Sequence, residues 1–284
     1  MAAQPQYMDL DIGDLRLQLA RWGNAARPPL ILLHGLASTH HMFDLIAPVL
    51  AADFDVIAYD QRGHGQSGKP ESGYDFETVA RDLDRVLAAL RLGDAEASLA
   101  GHSWGAYTTL YYAATRPGRI RRAALIDGGI RAIGDLFPTW EQASVGMAPP
   151  DYTGMTLEDI QRMIRERWLA AFFRPELEAL ALSIFDTSDA KAVRPHLPRA
   201  QHLHLARELW AFRPEDYYRR VTCPLQIVVA LEGDAPDDAI SAYAAAAAEA
   251  LAHSEIVWMR KTHHDIPWQR PVELADALLT FFTL

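Results

Sequence analysis

The sequence predicts an α/β protein with a mostly parallel central sheet, helices on both faces and a helical cap insertion. Three observations predict it. Short apolar runs alternate with longer amphipathic ones over most of the 284 residues. Several of those runs end in glycine-containing turns. Between residues 131 and 220 the alternation gives way to a proline-broken stretch of helical character. Brief apolar or β-branched runs closed by turn chemistry read as parallel strands buried on both faces, and regular β–α alternation puts helices on both sides of the sheet.

Taken in order, Leu15, Leu17 and Leu19 alternate with Arg16 and Gln18 after a Gly13-Asp14 turn, the pattern of a half-solvated antiparallel hairpin at a sheet edge. Strands are expected at 30–33, 55–59, 97–100, 123–126, 225–231 and 255–259. The clearest helix sets Phe76, Val79, Ala80, Leu83, Val86, Leu87 and Leu90 on one face, with Asp75 as its cap. Further helices are expected near 42–51, 104–115, 239–252 and 272–282; Pro117-Gly118 stops the second of these and Pro271 opens the last. Within 131–220, Pro138, Pro149, Pro150, Pro175, Pro195, Pro198 and Pro214 leave no convincing strand. Thr156 and Asp159 form a capping-box pattern that opens a helix through Phe173. The expected division is a core of residues 1–130 and 221–284 with a helical cap, or lid, of residues 131–220.

Composition excludes several classes. There are 27 Lys+Arg against 37 Asp+Glu, a net charge of −10, so a protein that neutralises nucleic-acid phosphates is not expected. The single cysteine, Cys223, allows no internal disulfide and no thiolate zinc cluster. The first residues lack the basic start and apolar core of a signal peptide, and no apolar run reaches the roughly 18–20 residues that cross a bilayer. A soluble, cytoplasmic protein is expected, monomer or homodimer, acting on a small molecule without nucleic acid, membrane, metal or cofactor.

The chemistry concentrates at Gly101-His102-Ser103-Trp104-Gly105, where the strand at 97–100 must turn sharply into a helix. Glycines flanking a serine let the backbone pass close to its neighbours and hold the hydroxyl out on a strained turn, while the following helix aims its N-terminal amides at whatever Ser103 attacks. A serine hydroxyl needs a base. Of the 11 histidines, His264 lies in the loop between the strand at 255–259 and the final helix, at the end of the sheet where parallel strands build their sites. Only one of His263 and His264 is expected to point inward. His202 and His204 fall on different helix faces, and no metal-ligand spacing appears. Backbone amides from the His34-Gly35-Leu36 turn and from Trp104 are placed to converge on one point as an oxyanion hole.

Taken together these motifs resemble the α/β-hydrolase fold over nearly the whole chain: His34-Gly35 after the third strand, the segment from Tyr59 to Ser67 after the fourth, Gly101 to Gly105 after the fifth, and His264 before the last helix, in that order. The resemblance implies a Ser–His–acid triad of Ser103, His264 and an aspartate, with the Leu36 and Trp104 amides as oxyanion hole and a cap after the sixth strand. Asp60, Arg62, His64 and Gly65 are expected to hold a turn. For the acid, the usual place after the seventh strand points to Asp234; the end of the sixth strand offers Asp127 as the alternate. Asp234 is preferred on chain order and loop position.

Because serine, not aspartate, occupies the elbow, the implied reaction is cleavage of an ester or lactone through an acyl-enzyme, not dehalogenation or epoxide opening. Aromatic residues of the cap (Phe137, Trp140, Trp168, Phe172, Phe173, Phe185, Trp210 and Phe212) more often form a lid's own core at such spacing than touch substrate, but a lid rich in them suits a small to medium, largely apolar substrate. Amide or carbon–carbon cleavage, non-hydrolytic chemistry on the same scaffold and a low-turnover ligand receptor are the competing readings.

Overall fold

A computed structural model describes residues 3–284. Eight strands form one sheet: β1 (Gln6–Asp11), β2 (Arg16–Trp22), β3 (Pro29–Leu33), β4 (Asp55–Tyr59), β5 (Ser98–His102), β6 (Ala123–Ile126), β9 (Leu225–Leu231) and β10 (Ser254–Arg260), in the order β1-β2-β4-β3-β5-β6-β9-β10. The short strands β7 (Phe185–Asp186) and β8 (Arg194–Pro195) pair separately. The expected hairpin is there: β1 runs antiparallel to β2, and β2 antiparallel to β4. From β4 to β10 every pairing is parallel.

The apolar runs are continuous because each strand feeds two cores. Ile31, Leu33, Ile57, Tyr59, Leu99, Leu125, Ile227 and Val229 pack on one face with the helices Phe76–Ala89 and Trp104–Thr115. Their neighbours Leu30, Leu32, Val56, Ala58, Ala100, Ala124, Ile126 and Val228 pack on the other with the helix Pro271–Phe282. A period of two with both phases apolar is what a doubly covered parallel sheet requires.

Local signals place most helices. Asp75 accepts from Thr78 N at 2.8 Å and caps Phe76–Ala89; Asp237 accepts from Ile240 N at 2.7 Å and caps Asp238–Ala250. The helix expected near 42–51 is instead a 3₁₀ turn, His40–Phe43, followed by Ala47–Leu50, with Pro48 in the first turn of the second piece. The capping box at Thr156 and Asp159 forms, but its helix, Leu157–Met163, passes into a π-helical turn, Ile164–Trp168, and ends short of Phe173. The stretch between β6 and β9 is otherwise helical, apart from the β7–β8 ladder that the prolines concealed. Among the described residues no helix is long and apolar enough to cross a membrane.

Candidate active site

Strand β5 ends at His102 and the helix Trp104–Thr115 begins two residues later, so Ser103 alone makes the bend. It does so at φ 55° and ψ −121°, a conformation that L residues rarely adopt. The bend is held by Ser103 N donating to Ile126 O at 2.9 Å. It is also fitted sterically: a Cβ on Gly105 would lie 2.2 Å from Leu33 O, so only glycine lets the new helix pass against β3. A Cβ on Gly35 would lie 3.0 Å from Ser103 Cβ and 3.4 Å from its Oγ, which places the turn after β3 directly against the serine. Among the described residues, neither the Leu36 nor the Trp104 amide finds a hydrogen-bond acceptor within the protein.

That turn rests on two buried neutral histidines. His34 Nδ1 donates to Gly35 O at 2.8 Å while its Nε2 accepts from Gln61 N at 3.0 Å. His64 Nδ1 donates to Arg62 O at 2.9 Å and its Nε2 accepts from Ala37 N at 3.2 Å. Burial drives both toward the neutral form, His34 down to about 4 and His64 well below its ordinary value. The His64 ring also stacks on Trp104. The turn after β4 is structural, as its residues suggested. Asp60 accepts from His40 N, His40 Nδ1 and Gln66 N at 2.8–2.9 Å. Burial alone would raise its carboxyl, but His40 holds it far below the usual carboxylate range.

Residues Ser103, Asp127 and His264 line one cavity of about 330 Å³. Strand β6 lies between β5 and β9, with Ile126 paired to His102 on one side and Val228 on the other, so Asp127 emerges beside Ser103. Its backbone turns at φ 46°, and its Oδ1 accepts from Ala230 N at 2.9 Å. Its Oδ2 accepts from His264 Nδ1 at 2.5 Å. The expectation that Asp234 supplies the acid is therefore corrected. Asp234 is 72% exposed and pairs with Lys261 Nζ at 3.2 Å, because the loop after β9 runs outward into solvent while the end of β6 turns into the cavity. Of the histidine pair, His264 faces the cavity and His263 stacks on Phe172.

Burial opposes a charge on His264, but the hydrogen bond and negative charge of Asp127 outweigh it and raise the imidazole above 6.5. The ring is nonetheless 54% exposed, since one side opens onto the cavity. No hydrogen bond joins it to Ser103 Oγ among the described residues. With Nδ1 engaged by a carboxylate, Nε2 is left as the base of the neutral ring, the arrangement in which an aspartate orients and stabilises an imidazolium without taking its proton.

A third histidine in the site was not singled out from sequence. His102, inside the elbow, donates from Nε2 to the carbonyl of His264 at 2.9 Å and so ties the serine turn to the loop that carries His264. Burial and the neighbouring His264 push it down to about 4. The signal was present in the elbow motif, but nothing in the spacing shows where the ring points.

The cavity wall on the side of the expected cap is aliphatic, and the cap aromatics pack as core. Ile130, Ile133, Leu136, Leu209 and Ile240 form the wall, and none of the aromatic residues between β6 and β9 reaches it. Those aromatics pair among themselves and with the core: Trp140 with Trp210, Trp168 with Trp268, and Phe212 with Phe76. Among the described residues no group of three or more His, Cys, Asp or Glu side chains is arranged to hold a metal ion. Cys223 is pushed up to about 11 by burial and lies outside the cavity lining.

The family model of the alpha/beta hydrolase fold matches residues 28–245. A 2-(acetamidomethylene)succinate hydrolase from Mesorhizobium japonicum is 31% identical over 224 residues, 77% of this chain and 75% of that protein. The solved structure of an E-2-(acetamidomethylene)succinate hydrolase superposes with a TM-score of 0.82 at 24% identity, covering 99% of this chain and 100% of the other. An enol-lactonase from Burkholderia xenovorans superposes with a TM-score of 0.72 at 19% identity, covering 98% and 100%.

Proposed function

The chain belongs to the alpha/beta hydrolase fold family, and from that premise we propose that it is a serine hydrolase that opens a carboxylic ester or lactone through an acyl-enzyme. The single observation that carries the reading is Asp127 Oδ2 accepting from His264 Nδ1 at 2.5 Å in the cavity that Ser103 lines. In this reading neutral His264 takes the Ser103 proton through Nε2 as Oγ attacks the substrate carbonyl. The developing oxyanion is met by the free amides of Leu36 and Trp104, each such donor contributing about 3 kcal/mol. The imidazolium, stabilised by Asp127, then protonates the leaving oxygen. Water attacks the acyl-enzyme by the same route and returns the serine.

An aliphatic wall suits an acyl chain of small to medium size. The helical stretch between β6 and β9 supplies Ile130, Ile133, Leu136 and Leu209 to that wall, which supports its role as a lid over the cavity. The test is turnover of p-nitrophenyl esters of increasing length and of a lactone panel in ¹⁸O-labelled water. The expected result is one solvent oxygen in the released acid and loss of turnover in Ser103→Ala. Product without solvent oxygen, or full activity in Ser103→Ala, would contradict the reading.

A further inference from the structure

We propose that the substrate carries a carboxylate away from its scissile carbonyl, and that the Arg131 guanidinium binds it. The inference rests on the serine-hydrolase reading of the Ser103 cavity and specifies what enters it. Arg131 is the one permanent cation among the residues lining an otherwise largely aliphatic cavity. An arginine in such a setting ordinarily finds a carboxylate, as Arg213 finds Asp135 and Arg116 finds Glu77 and Asp84. Arg131 does not: among the described residues no carboxylate lies within 4.0 Å of it and its side chain donates no hydrogen bond.

The neighbouring groups are committed elsewhere. Its guanidinium lies 5.9 Å from the centre of the Tyr243 ring, a shelf that orients the fork without using its N–H donors. The Tyr243 hydroxyl donates to Asp135 at 2.8 Å, and Asp135 already holds Arg213. The carboxylate that lines the cavity, Asp127, is engaged through both oxygens by His264 and Ala230 N. The backbone at Arg131 is fixed as well, its carbonyl accepting from Tyr107 Oη at 2.6 Å.

The cavity thus carries opposite charges on Asp127 and Arg131. An anionic substituent is repelled by Asp127 at the triad and drawn to Arg131, which fixes the direction in which an acyl chain lies. A planar fork with its donors free is suited to bidentate capture of a carboxylate. The requirement is real, because a chain with net charge −10 repels anions in general.

The test compares p-nitrophenyl hexanoate with the p-nitrophenyl monoester of adipic acid, six-carbon acyl chains differing in a terminal methyl or carboxylate. In Arg131→Gln the ratio of kcat/KM, adipate over hexanoate, is expected to fall roughly 10- to 100-fold. The loss should lie mainly in KM, as for a contact made equally in ground and transition states, and Arg131→Lys should restore part of it. An adipate-to-hexanoate ratio that is the same in wild type and Arg131→Gln overturns the assignment. Labelling of Ser103 by a neutral fluorophosphonate separates the two claims. If Ser103 is labelled and the ratio does not move, the Arg131 assignment alone falls; if Ser103 is not labelled, the serine-hydrolase reading falls and takes the assignment with it.

Discussion

Ser103 is held where an L residue costs about 1–3 kcal/mol of backbone strain, and the surrounding contacts, not its own preference, keep it there. The same holds for Asp127, whose positive φ is fixed by Asp127 N donating to Val228 O at 2.8 Å and by its side chain on Ala230 N. Two residues in strained turns at the tips of adjacent strands meet across one cavity, and His264 closes the set from β10. Removing either end of the chain of contacts has a defined consequence. Ser103→Ala is expected to abolish ester turnover, and Asp127→Asn to lower kcat by about 10³- to 10⁴-fold by disrupting the orientation of the imidazole. Asp234→Asn, which breaks only an exposed pair with Lys261, should stay close to wild type; steady-state kinetics on one ester decides between them. The acid was the least legible residue in the sequence. Asp127 and Asp234 both follow parallel strands and both fall between the serine and the histidine in chain order. What separates them is the direction in which each loop leaves the sheet, and the nearest written signal was the Gly128-Gly129 pair that lets β6 end in a tight inward turn.

At the scale of elements, the site is positioned by joints between a strand tip and its neighbours. His102 joins the elbow to the His264 loop, and His34 and His64 carry the turn that holds Leu36. Farther out, Arg62, after β4, grips Asp82 of the helix Phe76–Ala89 through Nε at 2.5 Å and Nη2 at 2.9 Å, both side chains almost fully buried. Asp82→Ala would strand the guanidinium in the interior, and the expected loss is about 3–5 kcal/mol, read by urea unfolding. These elements were readable where one rule governs: apolar runs for the doubly covered strands, caps at Asp75 and Thr156 for the helices. They were not where two rules compete. Near 42–51 the apolar spacing suits a helix, but His40 is drawn out to Asp60 and Pro48 restarts the helix. At 185–195 the prolines hid a two-residue ladder too short to show a period.

Across the whole molecule, burial of neutral histidines makes stability depend on pH. His34 and His102 lie at about 4 and His64 well below its ordinary value when folded, against 6.5 for an exposed ring. The unfolded chain therefore binds more protons between pH 6.5 and 4, and stability falls as pH falls through that window. Asp60, depressed in the fold, adds a loss below its ordinary 3.8. His264 has the opposite sign, its contribution present below 6.5 and lost as pH rises through its raised folded value. Melting temperature from pH 7 to 4 should drop steeply, and His34→Gln, which cannot take up a proton, should flatten the slope even if it lowers the starting point. The parallel core, the turn at Ser103 and the loop that carries His264 were legible at this scale because each follows from alternation of short buried strands with helices. The lining of the cavity was not: aromatic residues between β6 and β9 satisfy one another, and the wall falls to aliphatic side chains and Arg131 that no periodicity marks.

The most direct measurement is the rate at which a fluorophosphonate labels Ser103 as a function of pH, in wild type, Asp127→Asn and Asp234→Asn. Only neutral His264 can take the serine proton, so the wild-type rate should rise with pH through an inflection above 6.5, and Asp234→Asn should follow the same curve. Asp127→Asn should be slowed by orders of magnitude, with any residual inflection moved lower. Labelling of Asp127→Asn at the wild-type rate, together with collapse in Asp234→Asn, would contradict the assignment of Asp127 as the carboxylate that holds the base.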